Sequence, residues 1–191
     1  MIINKLRDLE RESNERGIPI IGRLKGKWLL EKIKEVKPKK ILELGTANGY
    51  SGIILGNEGA ELTTVEINKV LAEETKRNFK MFGIKAEVFA EDGVKFVKKL
   101  LLNKKENYFD LIFIDFAKKD YIKVLEECVK LVKKNGLIIA DNMSFEECRD
   151  YKEAVLKHPK LETEIIEIED WISCSKKINR KMKAEKMIGI D

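Results

Sequence analysis

The chain has 191 residues, of which 43% are hydrophobic and 37% charged, with a formal net charge of +5. That is enough chain for one domain with a substantial core, expected to run undivided over 1–191. No apolar stretch is long enough to cross a bilayer, and the opening MIINKLRDLERE is too charged for a secretory leader, so a cytoplasmic protein with no membrane partner is expected.

Cys128, Cys148 and Cys174 are odd in number and far apart, which excludes a disulfide framework and a zinc spacing and leaves ordinary thiols. The single histidine, His158, precedes Pro159 at an expected helix end, so a multi-histidine metal centre is excluded. The modest positive charge admits an anionic substrate or RNA, and is equally the mark of a lysine-rich solvated surface.

In chain order, Ile2 to Arg16 reads as a charged helix with Ile2, Leu6 and Leu9 at helical spacing and Gly17 as its stop. Ile18 to Gly22 is a short apolar loop. With the helix it makes an N-terminal segment, 1–22, that could cover a ligand, pack on the sheet or meet a second copy in a homodimer. Leu24 to Val36 forms an amphipathic helix through Leu24, Trp28, Leu29, Ile33 and Val36, ended by Pro38.

From there short apolar runs alternate with helical patterns, which predicts a parallel sheet flanked by helices. The strands are Ile41 to Leu44, Leu62 to Glu66, Ala86 to Ala90, Phe109 to Asp115 and Leu137 to Ala140. The helices are Ser51 to Asn57, Lys69 to Phe82, Val94 to Leu102 and Tyr121 to Val132, with Asn135-Gly136 as the turn into the fifth strand. A further helix runs from after Met143 to about Leu156. Thr163 to Ile168 and Trp171 to Ser175 alternate like half-buried strands joined through Glu169 and Asp170, an antiparallel pair closing the sheet edge. The expected fold is thus α/β: a Rossmann-like, doubly wound, seven-stranded and mostly parallel sheet with an antiparallel C-terminal pair. Residues 23–178 are the core and 179–191 a basic tail.

The chemistry collects at the strand ends, where open α/β sheets bind ligands. The first strand runs into Glu43-x-Gly45-x-x-x-Gly49 and then a helix start. Glycines there let a backbone approach a nucleotide closely, and free helix N–H groups meet its polar end. The spacing is not the G-x-G-x-x-G of hydride-transferring enzymes, and no Gly-Lys-Ser/Thr phosphate loop is present. Glu66 ends the second strand, where one carboxylate can accept both hydroxyls of a ribose. Ala90-Glu91-Asp92-Gly93 ends the third, where an adenine edge could be read, although Asp92 could equally cap the next helix. Asp115 ends the fourth strand beside this acid-lined pocket. Asp115, Asp141 and Asn142 offer only oxygen ligands. Two neighbouring carboxylates at buried strand ends repel each other without a cation, and such a set suits a hard ion such as Mg²⁺. Read separately, Asp141-Asn142 is a turn and Asp115 a helix cap.

The glycine turn resembles motif I of methyltransferases that use S-adenosylmethionine. With FIDFAKKDY after the fourth strand and GLIIADN after the fifth, the sequence is similar to the metal-dependent catechol and caffeoyl-CoA O-methyltransferase family over roughly residues 24–145. The resemblance implies that Gly45, Thr46, Gly49 and Ser51 hold the amino-acid end of S-adenosylmethionine, with Glu43 in the same motif. It implies Glu66 at the ribose and Glu91 or Asp92 by the adenine. It implies Asp115, Asp141 and Asn142 as ligands of Mg²⁺ or another divalent cation, and Lys118 as the base near the acceptor hydroxyl, with Lys119 as its rival. The implied acceptor is a small hydroxylated molecule such as a catechol-like diol, with a hydroxylated tRNA base as the alternative and a non-catalytic donor-binding protein as the third reading. Glu169-Asp170-Trp171 stands where relatives carry an Asp-Gly turn, so substrate contacts are not carried over there.

Overall fold

The computed structural model describes residues 2–178; the basic tail expected over 179–191 lies outside them. The chain divides into two compact units, 1–96 and 97–191. The fold is α/β, a seven-stranded mixed sheet that is parallel except for an antiparallel end, β5-β7-β6.

In the first unit the N-terminal helix expected over Ile2 to Arg16 is broken at Leu6 into α1 (Ile2–Lys5) and α2 (Arg7–Glu15). Next comes α3 (Arg23–Val36), which Lys37 ends in the left-handed conformation (φ 49°) just before Pro38. The helix face is not quite the predicted one: Leu24 is exposed, and Lys25 and Gly26 are buried with Leu29, Leu30 and Ile33.

Then follow β1 (Lys40–Leu44), α4 (Tyr50–Gly56), β2 (Glu61–Val65), α5 (Lys69–Phe82), β3 (Ala86–Phe89) and α6 (Gly93–Leu102), within which the two units divide. β2 pairs in parallel with both β1 and β3, so the three strands run the same way. Ile41, Leu42 and Leu44 are fully buried, as a strand covered on both faces requires. α5 is capped by the Asn68 side chain, which accepts from the Val70 and Leu71 amides, and ends at Gly83 in the left-handed region, where a glycine is unstrained.

The second unit holds β4 (Phe109–Ile114), a 3₁₀ turn over Lys118–Val124, α7 (Leu125–Leu131), β5 (Val132–Asp141), a short 3₁₀ turn over Glu146–Cys148, α8 (Arg149–Lys157), β6 (Leu161–Ile166) and β7 (Ile172–Lys177). β4 and β5 are parallel, and β7 lies antiparallel between β5 and β6. Two sequence expectations are corrected here. The helix expected from Tyr121 is first a 3₁₀ turn and becomes α-helical only at Leu125. Asn135-Gly136 is a bulge inside β5 rather than a turn ahead of it, because pairing jumps from Phe109↔Val132 to Leu111↔Leu137. A side chain at Gly136 would come within 2.8 Å of the Asp110 carbonyl, so the bulge needs a residue without one.

The three cysteines are free and buried, and His158 ends α8 with Nε2 3.1 Å from Glu126 Oε1, as an ordinary buried histidine. Among the described residues no helix is long and apolar enough to cross a membrane.

Candidate functional site

The first unit carries the glycine turn. β1 delivers Glu43 into the core, where its side chain is fully buried and accepts from Ser51 Oγ (2.7 Å) and Thr64 Oγ1 (2.7 Å). Glu43 and Ser51, both expected at the donor, thus hold one another and tie the start of α4 to β1. Gly45 (φ 87°) and Gly49 (φ 96°) are in the left-handed region, and between them Ala47 (φ 47°) adopts it despite its side chain.

Glu66 lies one residue past β2. Its Oε2 accepts from the Ala47 amide at 3.0 Å and its Oε1 from the Asn68 amide at 2.9 Å, so one carboxylate fixes both the turn and the start of α5. Each oxygen keeps a second lone-pair direction for a ligand hydroxyl. The Glu91 amide donates to the Glu66 carbonyl at 3.1 Å. Asp92 caps α6 through the Lys95 amide at 2.9 Å, the plainer of the two roles considered for it. Thr46 Oγ1 is buried without a hydrogen-bond partner.

The second unit carries the strand-end acids. Ile114 of β4 is in register with Ala140 of β5, so Asp115 and Asp141, the next residue of each, stand at the same level of the sheet. Asp141 is 2% exposed and Asn142 7%. The loop after β5 is pinned from the β6–β7 connection: the Met143 and Ser144 amides donate to the carbonyls of Trp171 and Asp170, both at 3.1 Å. Glu169-Asp170-Trp171 therefore braces the strand end through backbone atoms. Asn142 is held at φ 64°, and its Oδ1 is buried with no hydrogen-bond partner.

Lys118 donates to Asp115 Oδ1 at 2.9 Å, and the Tyr121 hydroxyl lies 3.5 Å from the same oxygen. Tyr121 is fully buried, stacked on Phe116 (5.4 Å) and edge-on to Tyr151 (5.6 Å). Burial first, then the charges of Asp115 and Asp141 among its neighbours, push its hydroxyl well above the usual range. The Cys148 thiol is pushed up to about 11, chiefly by burial and against the pull of Lys118. Buried and raised in this way, it is a structural thiol rather than a nucleophile.

Sequence reasoning placed Asp115, Lys118, Asp141 and Asn142 together at these strand ends. It missed Tyr121, Cys148 and the Trp171 carbonyl as their surroundings. The FIDFAKKDY run contained the signal for Tyr121, since a tyrosine one 3₁₀ turn beyond Lys118 lands on the same face.

Among the described residues no group of three or more His, Cys, Asp or Glu side chains gathers as metal ligands do. The strand-end set is two carboxylates and an amide. An orphaned buried amide oxygen costs about 1–3 kcal/mol if nothing donates to or coordinates it. Its oxygen-only chemistry fits a hard divalent cation.

The O-methyltransferase family profile matches residues 1–188. The chain belongs to that family. It is 32% identical over 145 residues to catechol O-methyltransferase B of Danio rerio, covering 71% of this chain and 54% of that protein. It is 27% identical over 146 residues to caffeoyl-CoA O-methyltransferase of Stellaria longipes, covering 72% and 60%. The chain thus spans little more than half the length of these curated relatives. Among solved structures, the O-methyltransferase from Bacillus cereus in complex with SAH superposes with a TM-score of 0.81 at 21% identity, covering 91% of this chain and 90% of that one.

Proposed function

We propose that this family member transfers the methyl group of S-adenosylmethionine to a hydroxyl of a small acceptor bearing two adjacent oxygens, with a divalent cation such as Mg²⁺ held by Asp115, Asp141 and Asn142. The observation that carries the reading is the unpartnered buried Asn142 Oδ1 beside two register-matched carboxylates. Support for the donor comes from the left-handed glycines of the turn and the acidic residues at the ends of β2 and β3, which suit a cationic sulfonium better than a polyphosphate.

Each group takes the role that the family resemblance implies for it. Gly45 and Gly49 let the turn's backbone come close to the donor, with Thr46 beside its amino-acid end and Ser51 behind it. Glu66 takes the ribose hydroxyls on its remaining lone pairs, and Glu91 or Asp92 reads the adenine edge. When bound, the cation supplies Lewis-acid chemistry that orients the acceptor's two oxygens and lowers the pKa of the one to be methylated. As the acceptor's oxygen–carbon bond forms, the methyl–sulfur bond breaks and S-adenosylhomocysteine leaves as a neutral thioether. Lys118 is the side chain placed to take up the hydroxyl proton. The ammonium so formed is stabilised by Asp115, 2.9 Å away.

The test is methyl transfer from labelled S-adenosylmethionine to catechol and to bulk tRNA, with EDTA and then with excess Mg²⁺. Label on catechol, lost in EDTA and restored by Mg²⁺, is expected. A full rate in EDTA removes the cation from the reading. Label on tRNA alone moves the acceptor to a nucleic acid.

A further inference from the structure

The donor turn does not hold its own shape. Ala47 is a non-glycine residue in the left-handed region, where its Cβ crowds the following carbonyl oxygen. Asn48 is fully buried, and its Oδ1 has no hydrogen-bond partner. Groups from outside the turn must therefore keep it in place. Two come from α5: Thr75 Oγ1 donates to the Ala47 carbonyl and Asn78 Nδ2 to the Asn48 carbonyl, both at 2.8 Å.

Glu66 holds the Ala47 amide, and a further hold comes from the N-terminal segment. Asn48 Nδ2 donates to Ser13 Oγ of α2 at 2.8 Å, in a buried contact between residues 35 apart in sequence. Its direction is determined. Ser13 Oγ has one hydrogen and gives it to the Leu9 carbonyl at 2.6 Å, so the asparagine must present its NH₂ to Ser13. Ser13 thereby orients the amide and leaves Oδ1 unpartnered. Arg16, three residues on, fastens α2 to α5 through both oxygens of Glu74 (2.8 and 2.7 Å) while also meeting Glu12 at 2.7 Å. Arg16 first, and to a smaller extent Asn48, hold the Glu74 carboxyl below its usual range, so this cross-link adjoins the turn.

We infer that α2 is a strut for the methyl-donor turn, with Ser13 and Arg16 as positioning residues that set donor affinity without touching the donor. The inference rests on the proposed donor site. Its physical content is a population argument: if the turn leaves its binding conformation for most of the time, apparent affinity falls by that fraction, even though the protein remains folded.

The experiment is calorimetric titration of the full chain with S-adenosylhomocysteine, for the wild type, Ser13→Ala, Ser13→Thr and Arg16→Met. Thermal melts confirm folding, and amide hydrogen exchange over residues 46–51 is followed without ligand. Ser13→Ala is expected to weaken Kd about tenfold, from the loss of one buried hydrogen bond to the turn. Ser13→Thr, which keeps the hydroxyl, restores affinity, and Arg16→Met has a smaller effect in the same direction. Exchange over 46–51 accelerates in Ser13→Ala and Arg16→Met. A loss of stability alone predicts otherwise, because a protein still folded binds as the wild type does. Unchanged Kd and unchanged exchange in folded Ser13→Ala overturn the strut. If Ser13→Ala does not fold, Arg16→Met decides by the same two readouts. If the wild type itself fails to bind S-adenosylhomocysteine, the donor-site reading falls, and the exchange measurement still decides whether α2 holds the turn.

Discussion

The acidic residues of the two units meet their partners differently. Around the glycine turn, Glu43 is fully buried with two hydroxyls donating to it, and Glu66 receives a backbone amide on each oxygen. At the ends of β4 and β5, Asp115 has one lysine and a distant tyrosine hydroxyl, and Asn142 Oδ1 has no partner. The first set is bonded to hydroxyls and backbone amides and holds the backbone to a shape, with the outer lone pairs of Glu66 left over. In the second, Asp141 and Asn142 are buried and the Asn142 amide oxygen is unpartnered, a setting in which an added cation would gain the most. The turn is thus a mould braced from outside, whereas the strand ends are the proposed socket. Mutations should separate the two by what they disturb: stability for the mould, activity and cation affinity for the socket.

The largest effect is expected at the socket. Asp141→Ala should lower kcat/KM by about 100-fold or more, since even supporting residues of a metal site cost 10–100-fold. Mn²⁺ binding, followed by electron paramagnetic resonance, should weaken in parallel. Activity retained at the wild-type level would dissolve the distinction between the two regions.

Next comes the mould. Glu43→Ala leaves the Ser51 and Thr64 hydroxyls without their acceptor in the core, and hydrogen bonds to a charged group are each worth about 1.5–3 kcal/mol. Urea unfolding should show a loss of about 3–6 kcal/mol on that basis. Cation affinity should stay within twofold or so of the wild type, the opposite pattern to Asp141→Ala.

Gly52→Ala probes the same region by shape rather than charge. A side-chain carbon there would meet Phe79 Cζ at 2.5 Å and Glu43 Oε2 at 2.9 Å, so something must move. Overpacking of this kind costs about 1–3 kcal/mol, read from the same unfolding curves. A variant as stable as the wild type would mean that Phe79 has room to turn, and that the turn is a softer mould than its hydrogen bonds imply.

The strand ends of this fold were legible because apolar runs ending in glycine or acid mark them. Glu66 falls one residue past β2, Asp115 one past β4, and Asp141 closes β5. What was not legible depends on partners remote in sequence or on a choice between similar local shapes. Tyr121, Val124 and Leu125 sit at spacings that serve a 3₁₀ turn as well as an α-helix, so the pattern did not distinguish them. Asn-Gly signals a turn between strands, yet here β5 has already begun at Val132 and the pair forms a bulge within it. At α3 the apolar period pointed to Leu24, whereas Lys25 is the buried residue, a long side chain able to pack its stem. The bond between Ser13 and Asn48 left no trace in either segment, since each residue has a common local role, in a helix and in a glycine turn.

The smallest effect concerns the edge of the mould, and it has a sign. Arg16 holds the Glu74 carboxyl below its ordinary value, while its own guanidinium is raised and stays charged throughout. A carboxyl whose folded value lies below its unfolded one, near 4.3 or so, contributes stability that is fully present above that pH. The contribution disappears as the pH falls through the lower, folded value. The wild-type melting temperature should therefore drop more between pH 7 and about pH 3 than that of Glu74→Gln, which has no proton to take up. The Arg16 side chain is 39% exposed and Glu74 13%, so solvent screens the pair and the difference should be a few degrees at most. The same acid step should loosen the Ala47 to Ser51 amides in the wild type before the protein unfolds as a whole. If exchange there is unmoved while the melting temperature falls, Glu74 supports the fold generally and the donor turn does not depend on its bond to α2.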